Sequence, residues 1–190
     1  KSTISDLKWL RQSGLEAAVL KAAASGTLVF GICGGYQILG RTVSDPDQVE
    51  AAGVTKIAGM DLLPMDTVFH GEKVQTQTSG TFSDIEGMLA SLNGIHYEGY
   101  EIHMGRSEES LNPVTGNGNV YGSYIHGIFD APGANWSALG LVQLMQDRED
   151  EALQSLCRSI DYGSKWAGDY INRAIIYYRK HNYRGALADY

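Results

Sequence analysis

Cysteine is scarce in this chain, and long apolar runs are missing from it. Its 190 residues hold two cysteines, Cys33 and Cys157, far apart and without C-x-x-C spacing. That excludes a disulfide framework and a thiolate zinc site, and fits a reducing, cytoplasmic setting. No apolar segment approaches the roughly 20 residues that span a bilayer, and no signal-peptide pattern precedes the first helical segment, so no membrane partner is expected. Basic charge is also short: 15 Lys and Arg against 22 Asp and Glu leave a net charge of −7. The basic residues are scattered, apart from a mild cluster at Tyr178-Arg179-Lys180-His181 that reads as a solvated helix end, so no nucleic-acid partner is expected. No G-x-x-x-x-G-K-[ST] motif occurs, so no P-loop ATP site is encoded here. No group has metal-ligand spacing, and no repeat or low-complexity linker interrupts the chain. Lys1-Ser2-Thr3 lacks a starting Met and leads at once into a helical pattern, which reads as the beginning of a fragment.

What is present is ordinary for one globular core: 43% hydrophobic and 19% charged residues, with a single domain over 1–190 expected. Ser5-Asp6 caps a helical pattern through Leu7, Leu10, Leu15, Ala18, Val19 and Ala22, weakened at Gly14 and stopped by Gly26. Thr27 to Ile32 is a short apolar run of a central parallel strand. Tyr36 to Gly40 reads as a short helix. From Asp45 to Thr81 come polar turns and alternating antiparallel strands; "YEGYEIHMGRSE" is another strand, Asn112 to Asn119 a turn-rich loop, and "VYGSYIHGIFD" a strand ending at Gly127. A helix at about Asn135 to Leu144 and helical patterning from Glu151 onward close the chain. Strands alternating with helices, plus a hairpin-rich insert, predict an α/β fold with a mostly parallel sheet and an added antiparallel segment. Trp9, Trp136 and Trp166 read as core or helix anchors, and the acid runs Glu108-Glu109 and Glu149-Asp150-Glu151 as solvated faces.

The stretch "LVFGICGGYQILG" brings a buried-strand pattern to an end at Cys33 and follows it with two glycines. A nucleophile at such a strand-to-helix corner is exposed at the carboxyl edge of the sheet, and Gly31 and Gly34-Gly35 permit strained backbone and close substrate approach. A helix N-terminus there favours thiolate and supplies N–H groups to an oxyanion. A small buried hydrophobe beside a glycine turn is the plainer alternative, which the strand–turn–helix context outweighs. A cysteine nucleophile needs a base. His126, at the end of a strand-like run and just before Gly127, is the first candidate and His103 the second; either is equally a structural histidine bonded to a carbonyl. His70, His96 and His181 read as loop or surface residues.

These residues resemble a known family. "GICGGYQ" is similar to the nucleophile motif of class I glutamine amidotransferases. Taken in order, "KSTISDLKWLRQSGLE", "GICGGYQILG", "GYEIHMGRSE" and "GSYIHGIFD", over residues 1 to about 133, resemble the glutaminase domains of cobyric acid synthases. The resemblance implies a flavodoxin-like fold, N-terminally truncated, in which Cys33 attacks the amide of glutamine and His126 shuttles the proton. It further implies that Gly34 N–H serves as an oxyanion donor, that Gln37 helps hold substrate, and that His103 and Glu101 contact substrate or support the site. A loop ending in Lys1-Ser2-Thr3 would supply a second oxyanion donor. Its partners would be glutamine, an ATP- and Mg²⁺-dependent synthetase domain upstream in the same polypeptide, and a corrinoid acceptor, adenosylcobyrinic acid a,c-diamide; no cofactor is expected in this chain itself. Class I enzymes usually carry Glu two residues after the catalytic His, whereas Ile128 stands there here, so a Cys-His dyad is expected. Two alternatives stay open: a related amidotransferase, either cobyrinic acid a,c-diamide synthase or a cell-wall amidating enzyme, and a non-catalytic docking module of the same fold.

Overall fold

The structure, a computed structural model, describes residues 2–50, 53, 55–107, 112–130, 132–164 and 167–190. Lys1, Glu108-Glu109 and Trp166 lie outside the described residues, and the readings made of them with it. The chain divides into two compact units, one of Lys1–Thr78, Glu86–Met88 and Tyr100–His126, the other of Ser79–Ile85, Leu89–Gly99 and Gly127–Tyr190.

The first unit opens with α1 (Thr3–Ser13) and α2 (Leu15–Ala24). The single long helix expected is broken at Gly14, whose φ of 81° no L-residue takes easily and which closes α1 with a bond from its N–H to Arg11 O. The N-cap is Ser2, whose hydroxyl accepts from Ser5 N, rather than Ser5 itself. Trp9 is 58% exposed and no core anchor. β1 (Val29–Ile32) leads into α3 (Gly34–Leu39). A Cβ on Gly31 would lie 2.7 Å from the Gly35 carbonyl, so glycine is what lets α3 fold back onto β1.

β1 pairs parallel with β7 (Val120–Ser123), which pairs antiparallel with β6 (Thr115–Asn117). In the order β1-β7-β6, β1 is an edge and not the central strand expected. β6 and β7 form a hairpin whose first strand lies inside what read as loop: a two-residue turn at Gly118-Asn119, with Gly118 at φ 63°, hides β6 in turn-rich composition. The second sheet orders β3 (Lys56–Ala58), β2 (Thr42–Ser44), β4 (Asp66–Thr81), β5 (His96–Ser107) and β8 (Ile125–His126). There β2 is parallel to β4 and antiparallel to β3, and β5 is antiparallel to β8. The far ends of β4 and β5 belong to the second unit.

The run expected as one strand, "VYGSYIH", therefore feeds two sheets, turning at Tyr124 between β7 and β8. Tyr124 is 4% exposed and packs edge-on to Tyr36, centroids 5.0 Å apart. The core around this corner joins Leu7, Tyr36, Leu39, Leu63, Met65 and Val120.

The second unit carries α4 (Pro132–Met145), α5 (Glu149–Asp161), α6 (Ala167–Arg179) and α7 (Tyr183–Asp189). Ala152, Leu156 and Ile176 bury its helical core. Arg158 lies over Trp136 at 4.4 Å. Buried Asp169 accepts hydroxyl bonds from Ser137, Ser159 and Ser164, each 2.7 Å. Glu149 and Asp150 in the first turn of α5 pair with Arg179 and Lys180 at the end of α6, as solvated helix ends do. Among the described residues no helix is long and apolar enough to cross a membrane.

Candidate active site

The parallel register Ile32↔Ser123 runs one residue further as a bond from Cys33 N to Ser123 O, 2.8 Å. Cys33 then leaves the strand with φ 53° and ψ −110° and becomes the residue that opens α3. Such an angle in a residue with a Cβ costs about 1–3 kcal/mol and persists where the surroundings over-determine it. The strain sits on the cysteine itself; Gly34 and Gly35 are helical. The thiol lies 3.6 Å from the Ile102 carbonyl of β5.

Cys33, Gly34, Gln37, His103 and His126 line one cavity of about 640 Å³, inside the range of small-molecule sites. Thr3, Asp6, Glu50 and Lys73 line it too, so both signs of charge are present. All of these belong to the first unit. β1 brings Cys33, β5 brings His103, and β8 brings His126 three residues past the strand that pairs with β1.

The two histidines differ. His103 has both nitrogens engaged: Nδ1 donates to Gly105 O at 2.7 Å, and Nε2 lies 3.0 Å from Glu101 Oε2. Its ring stacks on Tyr124, centroids 3.9 Å apart. It has no nitrogen left to move a proton. His126 Nε2 is buried and has no hydrogen-bond partner among the described residues. A buried polar nitrogen left so costs about 1–3 kcal/mol, and such orphans ask for a role. Its ring stacks on Tyr100, centroids 5.0 Å apart. His70, His96 and His181 are exposed as expected, the first two on strands rather than loops.

Gln37 is 2% exposed, and its Oε1 accepts from Thr3 Oγ1 at 3.0 Å. Below it runs a buried hydroxyl chain, Tyr124 to Ser107 at 2.8 Å and Ser107 to Thr67 at 2.9 Å. Burial pushes the Tyr124 phenol above its ordinary value, with hydrogen bonds to Ser107, Gln37 and Thr67 opposing. Any side chain at Gly105 would collide with Gln37 and Thr67, so β5 needs glycine there to pass the site. Glu50 holds the start of α1, its Oε2 accepting from Ile4 N at 3.1 Å. Among the described residues no group of three His, Cys, Asp or Glu is placed to hold a metal ion.

Sequence reasoning missed Thr3, Tyr100 and Tyr124. Thr3 stood in what read as a loop tail and is in fact the first residue of α1. Tyr100 becomes visible only once β5 and β8 are set in register, opposite His126.

The chain is similar to three cobyric acid synthases: 51% identical over 158 residues to that of Lachnoclostridium phytofermentans, 47% over 149 to that of Ruminiclostridium cellulolyticum, and 41% over 149 to that of Moorella thermoacetica. These alignments cover 70%, 68% and 68% of this chain but only 30%, 29% and 29% of the relatives, so the chain spans about three-tenths of their length. The model of the CobB/CobQ-like glutamine amidotransferase domain matches residues 1–134, and the chain belongs to that family.

Proposed function

We propose that this chain is the glutaminase part of a cobyric acid synthase, with Cys33 as nucleophile and His126 as its base. The observation that carries the roles is the pairing, in one cavity, of a strained corner thiol and a buried imidazole nitrogen without a hydrogen-bond partner among the described residues. In this reading Cys33 Sγ attacks the side-chain amide carbon of glutamine while His126 Nε2 takes the thiol proton. The tetrahedral oxyanion meets the Gly34 N–H. The C–N bond breaks, His126 returns the proton to the leaving nitrogen, and ammonia departs from a γ-glutamyl thioester. Water, deprotonated by His126, then releases glutamate and the thiol. The carboxylates of Asp6 and Glu50 and the ammonium of Lys73 bring to the cavity the charges that match the ammonium and carboxylate of an amino acid. Gln37, braced by Thr3, and His103, braced by Glu101, shape the wall against which the substrate lies.

ATP and Mg²⁺ belong to a synthetase part of the same polypeptide that activates the carboxylates of adenosylcobyrinic acid a,c-diamide; no step here runs through them. The strain at Cys33 and the orphan nitrogen of His126 weigh against a docking module. The test is interception of the thioester: with glutamine and hydroxylamine, the chain yields γ-glutamyl hydroxamate and Cys33→Ser yields none. Failure to release either hydroxamate or glutamate overturns the reading. For the acceptor, the full-length polypeptide carrying Cys33→Ser is expected to amidate the corrinoid with free ammonia but not with glutamine.

A further inference from the structure

A Cys-His pair without a third member leaves open what holds the imidazole. Two residues after His126 stands Ile128, 1% exposed and unable to accept a bond from the ring. Nε2 has no partner among the described residues either, so none of them fixes the ring plane by a hydrogen bond from that side. The χ2 torsion of histidine is intrinsically broad, and an unheld ring sweeps its nitrogen through an arc.

Tyr100 stands directly across from His126 in the antiparallel β5/β8 register. Residues so paired have Cβ atoms about 4.5–5.5 Å apart on one sheet face, which is the spacing two rings need to stack. The rings do stack, 5.0 Å between centroids and 8° between planes. Tyr100 is 50% exposed and does not line the cavity, so it neither fills the core nor touches substrate.

We propose that Tyr100 is the positioning residue for His126: its ring face fixes the imidazole plane, and with it the direction of Nε2, as a carboxylate would by hydrogen bonding. The inference rests on the glutaminase reading. The phenol oxygen plays no part in it, so Tyr100→Phe conserves the function and Tyr100→Ala loses it. An aromatic face also favours the imidazolium that forms when Cys33 gives up its proton.

The test is a double-mutant cycle on the full chain, reading the inactivation constants of Cys33 with 6-diazo-5-oxo-norleucine, beside NMR of the His126 ring protons. The expected result is about tenfold slower maximal inactivation for Tyr100→Ala with half-saturation unchanged, recovery in Tyr100→Phe, and no further effect of Tyr100→Ala in a His126→Ala background. The same loss in that background, or a loss in half-saturation alone, means a structural role and overturns the proposal. The NMR arm stands apart from activity: Tyr100→Ala moves the His126 ring resonances downfield, Tyr100→Phe leaves them, and unchanged shifts in Tyr100→Ala overturn the stacking. Should wild-type Cys33 take no glutamine-protected label, the glutaminase reading fails while the NMR arm still decides the positioning.

Discussion

The two cysteines stand in contrasting surroundings, and on the reading proposed above that contrast separates a nucleophile from a packed residue. Cys157 sits in the regular helix α5, its Sγ 3.7 Å from Arg173 Nη1, beside an ion pair between Arg173 and Asp189 of 2.6 Å. Its charged neighbours are already matched to each other. Cys33 has a positive φ, a cavity in front of it and an imidazole in the same cavity. On that reading position and a base make Cys33 the nucleophile, while the cation beside Cys157 is already matched by Asp189.

The largest effect that would sharpen this contrast is on turnover. Cys33→Ser is expected to abolish glutamate release while leaving the unfolding midpoint within a degree or so, and Cys157→Ser to change neither; an active Cys33→Ser would erase the distinction. Next comes His126→Ala, expected to slow hydrolysis about 10²–10⁴-fold, the usual worth of a general base, with steady-state glutamate release as the readout. Equal losses in His103→Ala and His126→Ala, with no drop in stability for either, would deny the difference between the two rings.

Stability changes follow. An alanine at Gly122 would push its Cβ into the Tyr36 ring at the corner where β7 meets α3. Overpacking of that kind costs about 1–3 kcal/mol, measurable by urea unfolding. Tyr124→Phe strips the hydroxyl chain of its first member and leaves Ser107 and Gln37 short of a partner, a loss of about 1–3 kcal/mol.

The smallest effect concerns pH. Because burial raises the Tyr124 pKa, the unfolded chain gives up that proton first as pH climbs past the ordinary tyrosine value of about 10. Above it the folded state binds more protons than the unfolded, so stability falls with rising pH. The fall is expected to be shallower in Tyr124→Phe, by thermal unfolding across that range.

Much of the site was legible because its chemistry is local: strand, cysteine, two glycines and a short helix are contiguous. His126 was legible as a strand end, and the α/β class followed from alternating patterns. Pairing was not. "VYGSYIH" carries no mark of the turn at Tyr124 that sends it into two sheets, because a four-residue strand and a two-residue one read together as one apolar run. Gly14 read as a weak point, yet whether a glycine bends or ends a helix is decided by what packs on either side. The stack of Tyr100 on His126 depends on register, which is a long-range property. Trp9 read as a core or helix anchor because aromatic residues usually are, and α1 turns it outward.

The central claim is that Cys33 alone of the two thiols is the nucleophile and that its cavity fits glutamine. Intact-mass analysis after exposure to 6-diazo-5-oxo-norleucine, with peptide mapping and competing glutamine, tests both at once. The account predicts a single adduct, on Cys33, suppressed by glutamine; an adduct on Cys157, an adduct indifferent to glutamine, or none at all would contradict it.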